Sequence, residues 1–260
     1  MLDRFFTLTV VAFVFGCFSL PLFAGEGTVA DASPFPVGER LVYRLRWGII
    51  VAGRATLEVK ERTEIDGVPA QHVHISIRTT GLVDKLYKVR TKIDSYITLD
   101  SARTLLYRKK QREGKTRADI EVEFDWEKRE CVYQESGKDP KQLSLPEQAT
   151  DLVGALYRFR CLRLREGEVY ELPVTDGTKV IEGQATITKR EKRKVKAGRF
   201  DCYKVTPRTQ EISGVFDQSD DAELHVWVTR DHRHVPVRVA SAVVIGNFIA
   251  ECIETENLAE

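Results

Sequence analysis

Sequence signatures of enzymatic chemistry are absent from this chain of 260 residues. It has no GxSxG nucleophile elbow, no HExxH metal helix, no motif joining a reactive cysteine to a histidine and no glycine-rich phosphate loop. No two cysteines have CxxC spacing, so neither a redox motif nor a zinc knuckle is indicated. We therefore expect a protein that is not an enzyme and needs no cofactor or metal. A hydrolase with an unrecognised site is the third-ranked alternative.

Net charge is also nearly absent, because 40 lysines and arginines are balanced by 39 aspartates and glutamates. No overall field therefore indicates a nucleic-acid-binding protein. Two basic runs stand out, residues 108–112 with Lys115 and Arg117, and residues 189–196. Either could meet anionic lipid head groups, but the preferred interpretation is solvated edge strands, where lysine discourages aggregation. No aromatic residues alternate with these cations, which argues against binding of single-stranded nucleic acid.

Long apolar runs are scarce, and only residues 5–24 are long and apolar enough to cross a membrane. This run follows Arg4 and ends at Ala24, a pattern typical of a secretory leader. We predict a leader at residues 1–24, removed on export, and a periplasmic location. The alternatives are cleavage after Ala30, an uncleaved membrane anchor and a lipoprotein processing site at Cys17.

Export would place the cysteines in an oxidising compartment. Four remain after the leader: Cys131, Cys161, Cys202 and Cys252. An even number permits two disulfides, and the sequence leaves their pairing open. The alternative is that the four are buried thiols that pack as small apolar side chains.

Alternation of polar and apolar residues dominates the rest of the chain. In residues 117–126, apolar residues at even positions alternate with charged residues at odd ones, the pattern of an antiparallel strand with one buried face. Similar stretches separated by turns such as Asp66-Gly67 predict about twelve strands. We expect a linker at residues 25–36, a single β-rich domain at residues 37–254 and a tail at residues 255–260.

One segment, residues 149–164, has the periodicity of a helix instead. Thr150 and Asp151 are both suitable N-cap residues, and a wide apolar arc follows over one face. An arc this wide requires extensive burial. We therefore predict a mainly β protein, a strongly curved antiparallel sheet or open barrel, with one central helix near residues 151–164 in its hollow.

Two histidine pairs and one acidic loop are candidate metal ligands. His72 and His74 are spaced by two, as are His232 and His234, and on a strand that spacing places both imidazoles on one face, where they could hold zinc or copper. The preferred interpretation is a polar surface and a turn. Calcium binding by the acidic loop is disfavoured because the ligand spacing of calcium loops is missing. The acidic residues are Asp217, Asp220, Asp221 and Glu223.

The segment at residues 224–239, LHVWVTRDHRHVPVRV, resembles a motif of exported bacterial proteins classified as domain of unknown function three-one-zero-eight. The segments at residues 34–53, 151–160 and 197–202 resemble other parts of that family. The resemblance implies a fold similar to the half-barrel of periplasmic lipoprotein carriers and implies no activity. The matching features of the motif are Trp227, Thr229, Asp231, Pro236, Val237 and Arg238.

These observations lead to two functional hypotheses. In the first, the protein holds a lipid or another apolar ligand between the sheet and the helix. In the alternative, it is an envelope structural or assembly factor that has no ligand cavity and binds another protein through sheet edges or an exposed Trp227 face. The residues predicted to line the hollow from the helix are Leu152, Leu156, Tyr157 and Phe159.

Overall fold

The computed structural model describes residues 33–208, 223–243 and 246–259. It contains a single antiparallel sheet of fourteen strands with the order β8-β7-β6-β5-β4-β3-β2-β1-β14-β13-β12-β11-β10-β9. The strands are β1 (Arg40–Trp47), β2 (Ile50–Ile65), β3 (Val68–Thr79), β4 (Arg90–Thr98), β5 (Thr104–Glu113), β6 (Thr116–Asp125), β7 (Glu130–Glu135), β8 (Lys141–Ser144), β9 (Val169–Thr175), β10 (Val180–Val195), β11 (Gly198–Pro207), β12 (Glu223–Thr229), β13 (Pro236–Val243) and β14 (Gly246–Glu256), and the helices are α1 (Gly81–Leu86) and α2 (Leu152–Arg160).

The predicted mainly β, antiparallel class is confirmed. The described residues form fourteen strands instead of about twelve and two helices instead of one. Strand β8 lies in a stretch that lacks a clear alternation, and α1 has only six residues. Elements this short carry too few residues for a periodic pattern. The predicted leader, most of the linker and the acidic residues 217–221 lie outside the described residues.

The first and last strands pair at the middle of the sheet. Leu41 and Tyr43 of β1 face the core, while Arg40 and Arg44 point to the outer face. Arg40 lies opposite Glu256 of β14 and is within 2.7 Å of its carboxylate. The sheet therefore consists of two meanders, β1 to β8 and β9 to β14, which are joined where β1 pairs with β14.

The two outer parts of the sheet come together around α2. Thr150, just before the helix, forms a parallel bridge with Val174 of β9, and α2 also packs against β4. A Cβ atom at Gly177, in the β9–β10 turn, would lie 2.7 Å from Val122 and 3.0 Å from Tyr133 on the other side of the sheet. Strands far apart in the sheet order are thus in contact through side chains, which requires the sheet to curve around the helix.

Helix α2 begins as predicted at the N-cap Asp151. Its carboxylate accepts hydrogen bonds from the backbone N–H groups of Val153 and Gly154 and from the hydroxyls of Ser95 (2.6 Å) and Thr104 (2.8 Å). The cap therefore also fixes the helix to β4 and β5.

The helix ends at Arg160 and not near residue 164. The N–H groups of Cys161 and Leu162 donate to the carbonyls of Arg158 and Phe159 at 3.0 Å, so the chain tightens into i to i+3 bonds there.

The guanidinium of Arg160 forms a buried ion pair inside the curved sheet. Its two Nη atoms lie 2.6 and 2.8 Å from the carboxylate oxygens of Glu39, and both side chains are 1% exposed. Its Nε donates to the carbonyl of Arg233 at 3.0 Å. The guanidinium carbon also lies 4.5 Å from the ring centre of Phe35 and 5.1 Å from that of Tyr157. One side chain of α2 thus connects the segment before β1 with the β12–β13 turn.

All four described cysteines are free thiols, so the alternative without disulfides is the one observed. Cys131, Cys202 and Cys252 are buried, and Cys161 is exposed. Burial raises the pKa of the Cys131 and Cys252 thiols to about 11 and that of Cys202 to about 12. These three therefore pack as small apolar side chains.

We predict that Arg160→Met destabilises the protein by about 3–5 kcal/mol, because it leaves the Glu39 carboxylate buried without its partner. The double variant Glu39→Met, Arg160→Met should be more stable than Arg160→Met. Urea unfolding followed by tryptophan fluorescence measures both. The control is Arg40→Gln, which removes a half-exposed pair and should change the free energy of unfolding little. Equal losses for Arg160→Met and the control would contradict this account.

Candidate functional site

The four residues predicted to line a ligand site lie on α2 and pack into the core. Tyr157 is 0% exposed and Phe159 is 1% exposed. The ring of Phe35 meets Tyr157 edge to face at 4.7 Å, and Tyr170 meets Phe159 in the same way at 6.1 Å. Leu156 is also buried, and Leu152 is half-buried. The structure brings these residues together, but it does not test their role as ligand contacts, which stays a prediction.

The space beside Tyr157 and Phe159 is occupied by other side chains. A side chain with almost no area accessible to a water-sized sphere borders no void that could hold a ligand atom. Val153 and Ala155, on the same helix, are 0% and 2% exposed. There is no room for a side chain at Gly154, because a Cβ atom there would lie 2.0 Å from the hydroxyl of Thr150. Along the buried side of α2, the described side chains therefore fill the hollow of the sheet.

The predicted exposed Trp227 face does not exist, because Trp227 is 5% exposed. Side chains of β10, two strands away in the sheet, cover it. The guanidinium carbon of Arg193 lies 4.2 Å from the ring centre, and the indole N–H donates to the carboxylate of Glu191. Sequence alternation places the tryptophan on the outer side of β12 and cannot reveal that side chains of β10 cover it.

Carboxylates pair with five of the twelve cations in the two basic runs. In the β5–β6 hairpin, Arg108 pairs with Glu121, and Arg112 lies 2.7 Å from Asp119 across the strands. In the second run, Glu191 accepts from Arg193 at 2.8 Å and lies 3.6 Å from Lys189. The runs lie on solvated strand surface, but the prediction of edge strands is wrong, because β5, β6 and β10 each pair on both sides.

The His72 and His74 pair occupies the outer face of β3, and the structure adds Asp94 of β4 to it. One oxygen of Asp94 lies 2.8 Å from Nε2 of His72 and 2.7 Å from Nδ1 of His74. Tyr96 stacks on His72 with a ring distance of 4.5 Å. The side chains of His72, His74 and Asp94 are between 21% and 30% exposed. Asp94 was missed because only the register, which places it opposite His74, reveals the contact.

These three residues are the ones that could hold a metal among the described residues. Ligand atoms around a tetrahedral zinc at 2.0–2.1 Å lie about 3.3 Å from one another. The distances of 2.7 and 2.8 Å are instead those of hydrogen bonds. In the structure, the Asp94 carboxylate accepts hydrogen bonds from two imidazole N–H groups. The distance from its oxygen to each imidazole nitrogen would have to increase by about 0.5 Å to admit an ion.

His232 and His234 do not share one face, because they lie in a turn. His234 is buried with φ +42° and its Nδ1 donates to the carbonyl of Arg160 at 3.0 Å, whereas His232 is exposed. Burial lowers the pKa of His234. A two-histidine metal site in this turn is therefore excluded by geometry, and His234 instead supports the helix end.

The sequence model of a family described as "Protein of unknown function (DUF3108)" matches residues 42–253. The chain belongs to this family. The resemblance found in the sequence motifs is thereby confirmed. No protein with a curated function matches the sequence.

The chain is similar to solved structures of other proteins. The chain is similar to a β-barrel-like protein of domain of unknown function DUF1849 from Brucella abortus, with a TM-score of 0.53 and 10% identity over 85% of this chain and 97% of that one. A protein from Bacteroides fragilis described as exported, with a YmcC-like fold, has a TM-score of 0.35 and 10% identity over 86% and 98% of the two chains. At such identities the likeness shows the fold alone, and the first structure supports the barrel-like form seen here.

Within the described residues, neither helix has the length and apolar character needed to cross a bilayer.

We predict that Asp94→Asn destabilises the protein at pH 7 and that the difference from the wild type shrinks below about pH 4. Burial alone would raise the pKa of Asp94, but hydrogen bonds from His72 and His74 outweigh it and lower the pKa. A carboxyl whose pKa is lowered by folding stabilises the fold at pH values above its pKa in the unfolded chain, about 3.9. This contribution is lost as the pH falls through the pKa in the folded protein. Urea unfolding at several pH values measures the effect.

The matched control is Asp139→Asn, an exposed carboxyl in the β7–β8 turn. It should leave the pH dependence unchanged. If Asp94→Asn were as stable as the wild type at pH 7, the stabilising role of the cluster would be wrong.

Proposed function

We propose that this family member is a non-enzymatic protein of the bacterial cell envelope that acts by binding another envelope protein through its surface. The predicted leader at residues 1–24 supports a periplasmic location, and a lipoprotein or an anchored form is the alternative. The interior serves as a solid scaffold for that surface. This proposal takes up the second of the two hypotheses drawn from the sequence.

The observation that carries the proposal is the filled hollow. A carrier gains about 25 cal/mol for each Å² of acyl chain that it buries, but only where space exists to receive the chain. Here Tyr157 and Phe159 already occupy that space. The Arg160–Glu39 pair lies in the same interior. A ligand that displaced these packed rings would disturb the neighbouring ion pair. Its charged groups would become exposed or stay buried without a partner, at a cost of several kcal/mol.

Sheet edges offer a binding mode for a protein partner. Strand β9 pairs with β10 on one side, and Thr150 covers its end through hydrogen bonds with Pro173 (3.1 Å) and Thr175 (2.9 Å). Among the described residues, no strand pairs with the other side of β9 at Val169 and Tyr170. A partner could add an extended segment there by main-chain hydrogen bonds, which is a recurring mode of peptide recognition.

We predict that the purified protein carries no lipid and binds its partner through β9. Native mass spectrometry should give the mass of the polypeptide alone, and solvent extraction should release no acyl chains. Crosslinking in cells should yield one discrete partner. Val169→Lys should reduce that crosslink, because a charged side chain on an edge strand disfavours strand addition.

The control is Val132→Lys, because Val132 is similarly exposed but lies on β7, which pairs on both sides. It should leave the crosslink intact. A stoichiometric lipid in the native spectrum would overturn the proposal in favour of the carrier. Equal effects of the two variants would overturn the role of β9.

A further inference from the structure

Five aliphatic side chains are exposed together at one end of the barrel, and we name them the apolar end: Ile49, Ile50, Val51, Leu82 and Leu86. Ile49 is 91% exposed, Leu86 is 87% exposed and Leu82 is 76% exposed. The other two are about half exposed. Single exposed aliphatic residues are common on proteins and need no explanation, whereas a concentration of large ones indicates an interaction surface.

The fold places all five at the same end. The β1–β2 turn and the β3–β4 connection, which contains α1, lie on the same side of an antiparallel meander. The N–H of Thr80 donates to the carbonyl of Ala52 at 3.0 Å, so α1 starts next to Val51. Val83 is buried and anchors α1 to the core. Leu82 and Leu86, four residues apart, therefore share the outward side of the helix.

A row of arginines crosses the outer face of the sheet just below this end. Arg44 of β1 lies opposite Arg54 of β2, Arg54 lies opposite Arg78 of β3, and Arg78 lies opposite Arg90 of β4. We name these four residues the arginine row. Like charges directly opposite one another destabilise a sheet. Four in succession therefore need carboxylates of the chain or an anionic partner to offset the repulsion.

The two central members of the row have no carboxylate of their own. Arg44 and Arg90 are paired with Glu251 (2.6 Å) and Asp84 (2.7 Å). Arg54 and Arg78 form no ion pair within 4 Å among the described residues, and both are exposed. Their guanidinium groups are thus available for bidentate bonds to phosphate oxygens, the geometry that arginine matches best.

Two clefts adjoin Arg78, and their linings are strongly cationic. The one that also contains Arg54 has a volume of about 350 Å³. The second has a volume of about 490 Å³ and a single lining carboxylate, Glu58. The cations that line the two clefts are Arg40, Arg44, Arg54, Lys60, Arg78, Arg90, Lys92 and Lys196.

We propose that this end of the barrel docks on the surface of a bilayer that contains anionic phospholipids. The apolar end would enter the boundary between head groups and acyl chains, and the arginine row would contact the phosphates. The apolar end with the arginine row beside it forms the amphipathic surface that such an interface requires. This inference goes beyond the proposed binding of a protein partner and does not depend on it.

The test is vesicle flotation of the chain from Gly25 onward, which contains every described strand and helix. The vesicles contain phosphatidylcholine alone or phosphatidylcholine with phosphatidylglycerol at a ratio of three to one. We expect flotation with the anionic vesicles, weaker flotation with the neutral ones, and a loss of binding as the salt concentration is raised.

Two double variants separate the two parts of the surface. Ile49→Ser with Leu86→Ser should reduce the partition coefficient by at least about tenfold, because the aliphatic groups that enter the bilayer are removed. Arg54→Gln with Arg78→Gln should reduce it by roughly 30-fold at low salt, since two cations near the lipid phosphates are lost. Neither should lower the melting temperature, because all four residues are exposed, and the arginine variant should raise it slightly, because repulsion within the row is relieved.

The matched controls lie at the opposite end of the barrel. Arg62 and Arg129 are exposed cations near the β2–β3 and β6–β7 turns, and replacing both with glutamine should leave vesicle binding unchanged. The proposal is overturned if the wild type does not float with anionic vesicles. It is also overturned if the control reduces binding as much as the arginine-row variant does. Binding of a protein partner without any binding to vesicles would leave the proposed function standing and would overturn this one.

Discussion

The Arg160–Glu39 ion pair is the interaction on which the arrangement of the molecule depends. Both charges are removed from water, and such a pair is stable only when its hydrogen bonds are nearly complete. Here the bidentate carboxylate and the carbonyl of Arg233 supply them, and the ring of Phe35 covers the guanidinium. Arg160 is also the last residue of α2, where the helix dipole favours a cation. Each of these buried groups would destabilise the fold if it lost its partners. The helix, the segment before β1 and the β12–β13 turn are therefore held in one relative position.

This constraint shapes the functional argument, because it makes α2 a fixed part of the core. At its start, Asp151 binds Ser95 and Thr104, and at its end Arg160 binds Glu39. A helix held at both ends is unsuited to act as a lid that opens for a lipid. The polar and apolar groups that remain free to meet a partner lie outside, on the edge at β9 and on the end that carries Ile49 and Leu86. We therefore locate the function on the surface of the barrel.

The sequence predicted what depends on local periodicity. Alternation identified most strands, and the side-chain oxygen of Asp151 identified the start of α2. Contacts that depend on register were missed. Glu39 and Arg160 are 121 positions apart, and Asp94 meets the two histidines only because β4 pairs with β3 in one alignment. Each member of the arginine row resembles an ordinary outward strand residue until the pairing of four strands aligns them. The partners of Arg108 and Arg112, Glu121 and Asp119, were missed for the same reason.

Hydrogen exchange at the backbone of α2 tests the central claim most directly. If Arg160 and Asp151 fix the helix in a solid interior, the amides of residues 155–160 should exchange only through global unfolding, at the same free energy as the central strands β1 and β14. Exchange of α2 at a much lower free energy than those strands would show that the helix leaves the hollow while the sheet stays folded, and it would contradict the account.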